Sequence, residues 1–171
     1  MIKMQVMGVA LDTRTGSPIV VLSDSENRKA LPIWIGSAEA SAIIRHIEGI
    51  ETLRPMTHDL IVNLLESMNY SLKKIEIYDY SEETFYANIF LENEDGKELI
   101  IDARPSDAIA VALRTGSAIM VSPKVIASGT VSTDKKKDVE EAEEFKKFVD
   151  ELKPSDFKKL LDKNKDPGEN S

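Results

Sequence analysis

The chain predicts an α+β fold of duplicated β-β-β-α units with an intervening helix, followed by a C-terminal helical arm. Three observations carry that expectation. Apolar residues alternate loosely over residues 2–11, 18–24, 72–80 and 84–92, the period of half-buried strands. At helical spacing, Ile61, Leu64, Leu65 and Met68 share one face of residues 58–68. A shift of 68 residues lays one strand-to-helix junction on another. Lys29 falls on Lys97, Leu31 on Leu99, Ile33 on Ile101, Glu39 on Asp107, Ala40 on Ala108, Ala42 on Ala110 and Ile43 on Val111. Chance similarity of two junctions is the competing account.

The elements follow in order. Residues 2–11 and 18–24 flank the turn-forming stretch Asp12-Thr13-Arg14-Thr15-Gly16-Ser17 and read as a hairpin. A third strand spans residues 29–35, and Gly36-Ser37 opens a helix running to about Glu48. Pro55 blocks continuation, and Thr57 is the expected N-cap of a helix from His58 to about Met68. Residues 72–80 and 84–92 form a second hairpin, and Asn93-Glu94-Asp95-Gly96 turns the chain into a strand over 97–103. Within it Leu99 to Ile101 read as buried. After Arg104, Ala108 to Leu113 are too apolar for a helix that faces water. That helix ends near Gly116, and Ala118 to Ser122 read as one more strand.

Residues 1–133 are expected to form one domain. Residues 134–163 read as a charged helical arm, with Val139, Ala142, Phe145, Phe148, Val149 and Leu152 to one side and Pro154 breaking it. It would dock on its own core or on a neighbouring subunit. Residues 164–171 read as a disordered tail.

A 42% hydrophobic, 30% charged chain of 171 residues has the composition of a soluble globular protein. No apolar run approaches the roughly 20 residues that span a bilayer, and the N-terminus has no signal-peptide core. A cytoplasmic location without membrane attachment is the default. Cysteine is absent, which excludes disulfides, thiolate zinc sites and cysteine catalysis. The net charge is −8, and neither residues 1–133 (net −6) nor 134–171 (net −2) form a basic module. Nucleic acid would therefore be met by a local patch or through bound metal.

Two polar clusters open helices. One is Asp102-Ala103-Arg104-Pro105-Ser106-Asp107, between an apolar strand and an apolar helix; the other is Arg54-Pro55-Met56-Thr57-His58-Asp59. Asp102, Asp107 and Glu39 are hard oxygen ligands suited to magnesium or manganese, which can activate water at a phosphodiester. His58 is the candidate general base or acid, with Asp59, Asp102 and Asp107 as catalytic acids. Arg104 offers a planar fork for phosphate, with Ser106 and Arg54 as further substrate-binding candidates.

Each residue also has a structural account. Asp107 and Glu39 can cap their helices, and Arg104 can pair with Asp102 or Asp59. Thr57 reads as a cap and His46 as structural or surface, while His58 can stand exposed and idle. Trp34 reads as core or interface, with base stacking as the alternative.

These residues resemble the bifunctional nuclease family. The segments that carry the likeness are Leu31-Pro32-Ile33-Trp34-Ile35-Gly36 with Glu39-Ala40, Arg54 to Leu60, and Asp102 to Ala110, within about residues 2–128. The likeness is greatest to compact bacterial members from thermophiles, which the Lys/Glu richness fits. It implies an α+β domain that self-associates and cleaves both DNA and RNA, without assigning catalytic residues. The expectation is a metal-assisted nuclease, a homodimer as first choice because open sheet edges need covering. The competing expectation is a non-catalytic binding or regulatory module holding an anionic ligand or a protein partner. Convergence of the two clusters on one cleft favours catalysis; consumption of their side chains by salt bridges and caps favours the module.

Overall fold

The structure, a computed structural model, describes residues 1–129 and 131–132. The arm expected at 134–163 and the tail expected at 164–171 lie outside the described residues. The chain forms β1 (Ile2–Leu11), β2 (Pro18–Asp24), β3 (Lys29–Trp34), α1 (Ser37–Ile47), α2 (Thr57–Ser67), β4 (Tyr70–Ser81), β5 (Thr84–Asn93), β6 (Glu98–Ala103), α3 (Pro105–Thr115), β7 (Ala118–Val121), α4 (Pro123–Gly129) and the short β8 (Val131–Ser132). One eight-stranded sheet runs in the order β6-β5-β4-β7-β1-β2-β3-β8.

The fold is α+β, and its architecture repeats as the 68-residue shift predicts. Hairpin β1–β2 with β3 and α1 is matched by hairpin β4–β5 with β6 and α3. β7 sits between the halves, antiparallel to β1 and parallel to β4. Alternation sets the register. Val20 pairs with Ile33 and Leu22 with Leu31, while Ile75 pairs with Ile89 and Ile77 with Ala87. These residues bury one sheet face against Ile43 and Ile44 of α1, Ile109 and Val111 of α3, and Val125 and Ile126 of α4 in one core. α2 lies between the repeats and has no counterpart, packing on α3 and β4.

Three expectations need correction, and one helix was not expected. β6 is an edge strand, bonded among the described strands only to β5. Leu99 is therefore half-buried while Ile100 and Ile101 are exposed, because an edge lacks a second neighbour to cover it. The N-cap of α2 is Met56, not Thr57; Asp59 Oδ2 accepts the Met56 amide at 3.0 Å, so the acid three residues in caps the helix. The apolar face of α2 is also divided. Ile61, Val62 and Leu65 reach the core, whereas Met56, Leu60, Leu64 and Met68 form an exposed stripe. Finally, α4 follows β7 unannounced, although Ser122-Pro123 is an N-cap with proline behind it. Ser122 Oγ accepts the Val125 amide at 3.2 Å.

The β4–β5 hairpin closes on Glu82 and Glu83, with φ of 49° and 58°. Ser81 pairs with Thr84, leaving a two-residue loop in which both positions are left-handed. Asparagine and glycine are the usual residues there, so the two glutamates hold local backbone strain. Glu83 borders a cavity described below.

Candidate functional site

The N-terminal ends of α2 and α3 meet beside α1. Arg104 is the N-cap of α3, and Pro105 follows as its first residue. Asp107 falls one turn in, at the same place in its repeat as Glu39 in α1. Neither carboxylate makes a side-chain cap bond. Both turn to Arg104 instead. Its Nη2 donates to Glu39 Oε1 at 2.7 Å, and its Nε to Asp107 Oδ2 at 2.9 Å. The two acids hold the guanidinium pKa above its ordinary value, the Glu39 hydrogen bond being the largest cause and the Asp107 hydrogen bond the next. The repeat thus places matching carboxylates on either side of one arginine. In the first repeat Gly36 stands where Arg104 stands in the second, and a Cβ there would collide with Glu39 Oε2.

Asp107 Oδ1 is the partner of His58 Nε2 at 2.9 Å. His58 is buried, with 7% of its surface exposed, so it is not the idle surface histidine that the sequence leaves open. A chain of contacts therefore runs Glu39–Arg104–Asp107–His58 across three helices. A carboxylate on Nε2 selects the tautomer protonated there and leaves Nδ1 as the basic nitrogen. No hydrogen bond to Nδ1 is made by the described residues, nor to Arg104 Nη1, and the Arg104 side chain is 65% exposed.

Asp59 belongs to a second knot that the sequence does not announce. Arg114, in the last turn of α3, donates to Asp59 Oδ1 at 2.7 Å, to Ala110 O at 2.9 Å and to Ala42 O at 3.0 Å. Asp59 is held below the usual carboxylate range, chiefly by the Arg114 hydrogen bond. Arg114 lies seven residues after Asp107, two turns along the same helical face, and that spacing was the available signal. His46 sits nearby with its pKa lowered, first by partial burial of the ring and then by the Arg114 charge.

These residues wall a cleft of about 550 Å³ that includes Glu39, Arg45, His46, His58, Asp59, Arg104, Asp107 and Arg114. Arg45 Nε is buried without a hydrogen-bond partner. Three candidates stand apart. Asp102 points to the outer face of edge strand β6, opposite Asn88, and does not line the cleft. Arg54 is exposed outside it. Ser106 is buried and faces the cavity on the other side of Arg104. Arg104 pairs with Glu39 and Asp107 rather than with Asp102 or Asp59.

A divalent ion does not fit the expected donors as they stand. Glu39 and Asp107 turn oxygens to Arg104 and His58, and Asp102 is elsewhere. Among the described residues, no group of three or more histidine or acidic side chains is placed to hold a metal.

Fold and cleft define a compact α+β domain with a histidine–carboxylate pair where three helices meet. Over residues 20–134 it matches the family described as the bifunctional nuclease domain. An uncharacterized protein of Mycobacterium tuberculosis is 37% identical over 164 residues, spanning 91% of this chain and 98% of the relative. Bifunctional nuclease 1 of Arabidopsis thaliana is 24% identical over 125 residues, 67% of this chain and 38% of the plant protein. Bifunctional nuclease 2 of Oryza sativa subsp. japonica is 26% identical over 105 residues, 60% of this chain and 32% of the plant protein. The chain belongs to the bifunctional nuclease domain family. No described helix is long and apolar enough to cross a membrane.

Proposed function

We propose that the chain hydrolyses phosphodiester bonds of DNA, RNA or both in the cleft between α1, α2 and α3. The observation that carries this reading is the His58–Asp107 pair linked through Arg104 to Glu39. His58 Nδ1 takes the proton of a water whose oxygen bonds to phosphorus, the P–O bond to the departing sugar oxygen breaks, and that oxygen takes a proton from solvent; Asp107 keeps the ring in the tautomer that permits the first transfer. Arg104 Nη1 supplies a donor for a phosphate oxygen, and Arg45 adds positive charge to the wall of the same cleft. Bonds to Glu39 and Asp107 leave the Arg104 guanidinium in a fixed position, so little order is lost on binding. The names of the plant relatives support the same substrate class.

No step is routed through metal, because Glu39 and Asp107 are engaged with Arg104 and His58 and Asp102 stands outside the cleft. The test is a nuclease assay on highly purified protein with single- and double-stranded DNA and RNA, run with a chelator and with magnesium or manganese. Asp107→Asn is expected to lower turnover by about a hundredfold, since it loses the tautomer control while keeping the side-chain shape. Unchanged turnover in that variant would overturn the reading. Turnover abolished by chelator and restored by magnesium or manganese would instead assign the chemistry to a metal on other donors.

One observation favours the second reading. The Glu39, Arg104 and Asp107 side chains bind one another, as they would in a module that only holds an anion. Saturable binding of nucleic acid without cleavage in the same assay would support it.

We also infer a homodimer, which the exposed α2 stripe Met56, Leu60, Leu64 and Met68 supports. Light scattering across the micromolar range should return twice the chain mass, and Leu64→Asp should return it to the mass of one chain. A monomeric mass for the unaltered protein would end that claim.

A further inference from the structure

Arg104 lines two cavities. Beyond the acid–base cleft is a second cavity of about 810 Å³ walled by Trp34, Tyr80 and Phe85, with Ser106 at its edge. Trp34 is not core, as the sequence allowed. It ends β3 with 53% of its surface exposed. Its ring is nevertheless anchored, because indole Nε1 donates to Asp12 Oδ2 at 3.1 Å. Asp12 is in turn held by the Arg14 amide at 3.0 Å, and that bond, followed by the one from Trp34, keeps its carboxyl pKa low.

The Tyr80 and Phe85 rings lie 4.4 Å apart with a 38° tilt. Gly129 leaves room for the Phe85 ring, since a Cβ there would stand 3.0 Å from Leu31 Cδ1 and 3.2 Å from Phe85 Cε1. Exposing aromatic surface to water is unfavourable, and holding it in place beside a guanidinium suits a flat ligand that carries an anion.

We propose that this second cavity is a nucleobase subsite, so that the substrate is single-stranded where it crosses Arg104. The proposal rests on the reading of Arg104 as a phosphate-binding residue. A strand would place its phosphate at Arg104 and the adjoining base against the aromatic wall. A duplex cannot do this, because its bases already stack on their neighbours and expose only their edges. Every base has a π-face, so the subsite would accept bases of either size.

Trp34 is the only tryptophan in the sequence, so its fluorescence reports directly on this cavity. The unaltered chain is titrated with adenosine monophosphate and with ribose 5-phosphate, neither of which has a phosphodiester to cleave. Saturable quenching by the nucleotide and none by the sugar phosphate is the expected result; no quenching, or equal quenching by both, overturns the proposal. In the His58→Ala background, Trp34→Ala should weaken binding of a labelled single-stranded oligonucleotide by roughly 5- to 150-fold. It should leave duplex binding unchanged, and Trp34→Phe should restore most of the loss, which misfolding would not allow. Equal weakening of single strand and duplex also overturns the proposal. The two readings fail separately. Base-specific quenching in a protein that cleaves nothing keeps the subsite and removes the proposed hydrolysis. Cleavage with single-strand KM unmoved by Trp34→Ala removes the subsite and keeps the hydrolysis.

Discussion

Replacing His58 with alanine is expected to lower phosphodiester turnover by about a hundred- to ten-thousand-fold, the usual range for losing a positioned general base. The physical argument begins at Asp107. Its Oδ1 lies 2.9 Å from Nε2 and its Oδ2 is held by Arg104, so the imidazole is oriented by a carboxylate that cannot itself swing away. Removing the ring takes away the acceptor for the proton of water while leaving Arg104 in place. The loss should therefore fall on kcat, with KM little changed. Stability should fall by only about 1 kcal/mol for the hydrogen bond, plus a contribution from the space left at a buried position. Steady-state kinetics and a thermal melt on one preparation check both halves. Full activity per folded molecule would mean that the His58–Asp107 pair is architectural.

Arg114→Ala should show the opposite balance, with the largest stability loss among the cleft residues. Its side chain is only 11% exposed and joins three helices, through the carbonyls of Ala42 and Ala110 and the carboxylate of Asp59. Truncation leaves two carbonyls and a carboxylate without their donor. The half-exposed Asp59 remains screened by water, which limits the cost to about 2–3 kcal/mol, or a Tm lower by roughly 5–10 °C. Lysine should not restore it, because a single ammonium cannot reproduce the fork.

The pH dependence has a definite sign. Folding lowers the Asp59 pKa, so the stabilisation from this pair is fully present above the unfolded value near 4 and is lost as pH falls through the lower folded value. The gap between the melting temperatures of Arg114→Ala and the unaltered protein should therefore narrow in acid, leaving the part due to the Ala42 and Ala110 carbonyls. A gap that stays constant down to strongly acidic pH would mean that packing and the bonds to the Ala42 and Ala110 carbonyls, rather than the Asp59 charge, give Arg114 its role.

Local pattern made much of the fold legible. Period-two alternation marks the strands, Gly116 with φ of 66° stops α3 where a left-handed residue is needed, and the 68-residue shift exposes the two halves. It also pairs Glu39 with Asp107, though not the reason for the match. The exposure of Ile100 and Ile101 was illegible because strand composition does not say which strand will be an edge. Asp102 illustrates the same limit. Its neighbour Ala103 faces inward beside Ala87, so strand alternation sends Asp102 to the other face, and Arg104 bonds Glu39 and Asp107 instead. Proximity in sequence misled there, since Arg104 caps a helix and meets the acid three residues on, one helical turn away, rather than the acid on the strand behind it.

By itself the sequence determined the α+β class, the duplicated units, the family and the residue types available for chemistry, because these depend on local periodicity and on ordered motifs. Only the tertiary structure decided which of those residues meet. Glu39 and Arg104 are 65 positions apart and His58 and Asp107 are 49 apart, yet each pair is within hydrogen-bond distance. The helix docking that closes those gaps is driven by burial of apolar faces on the far side of α1 and α3, which carries the polar ends together without any record in their local sequence.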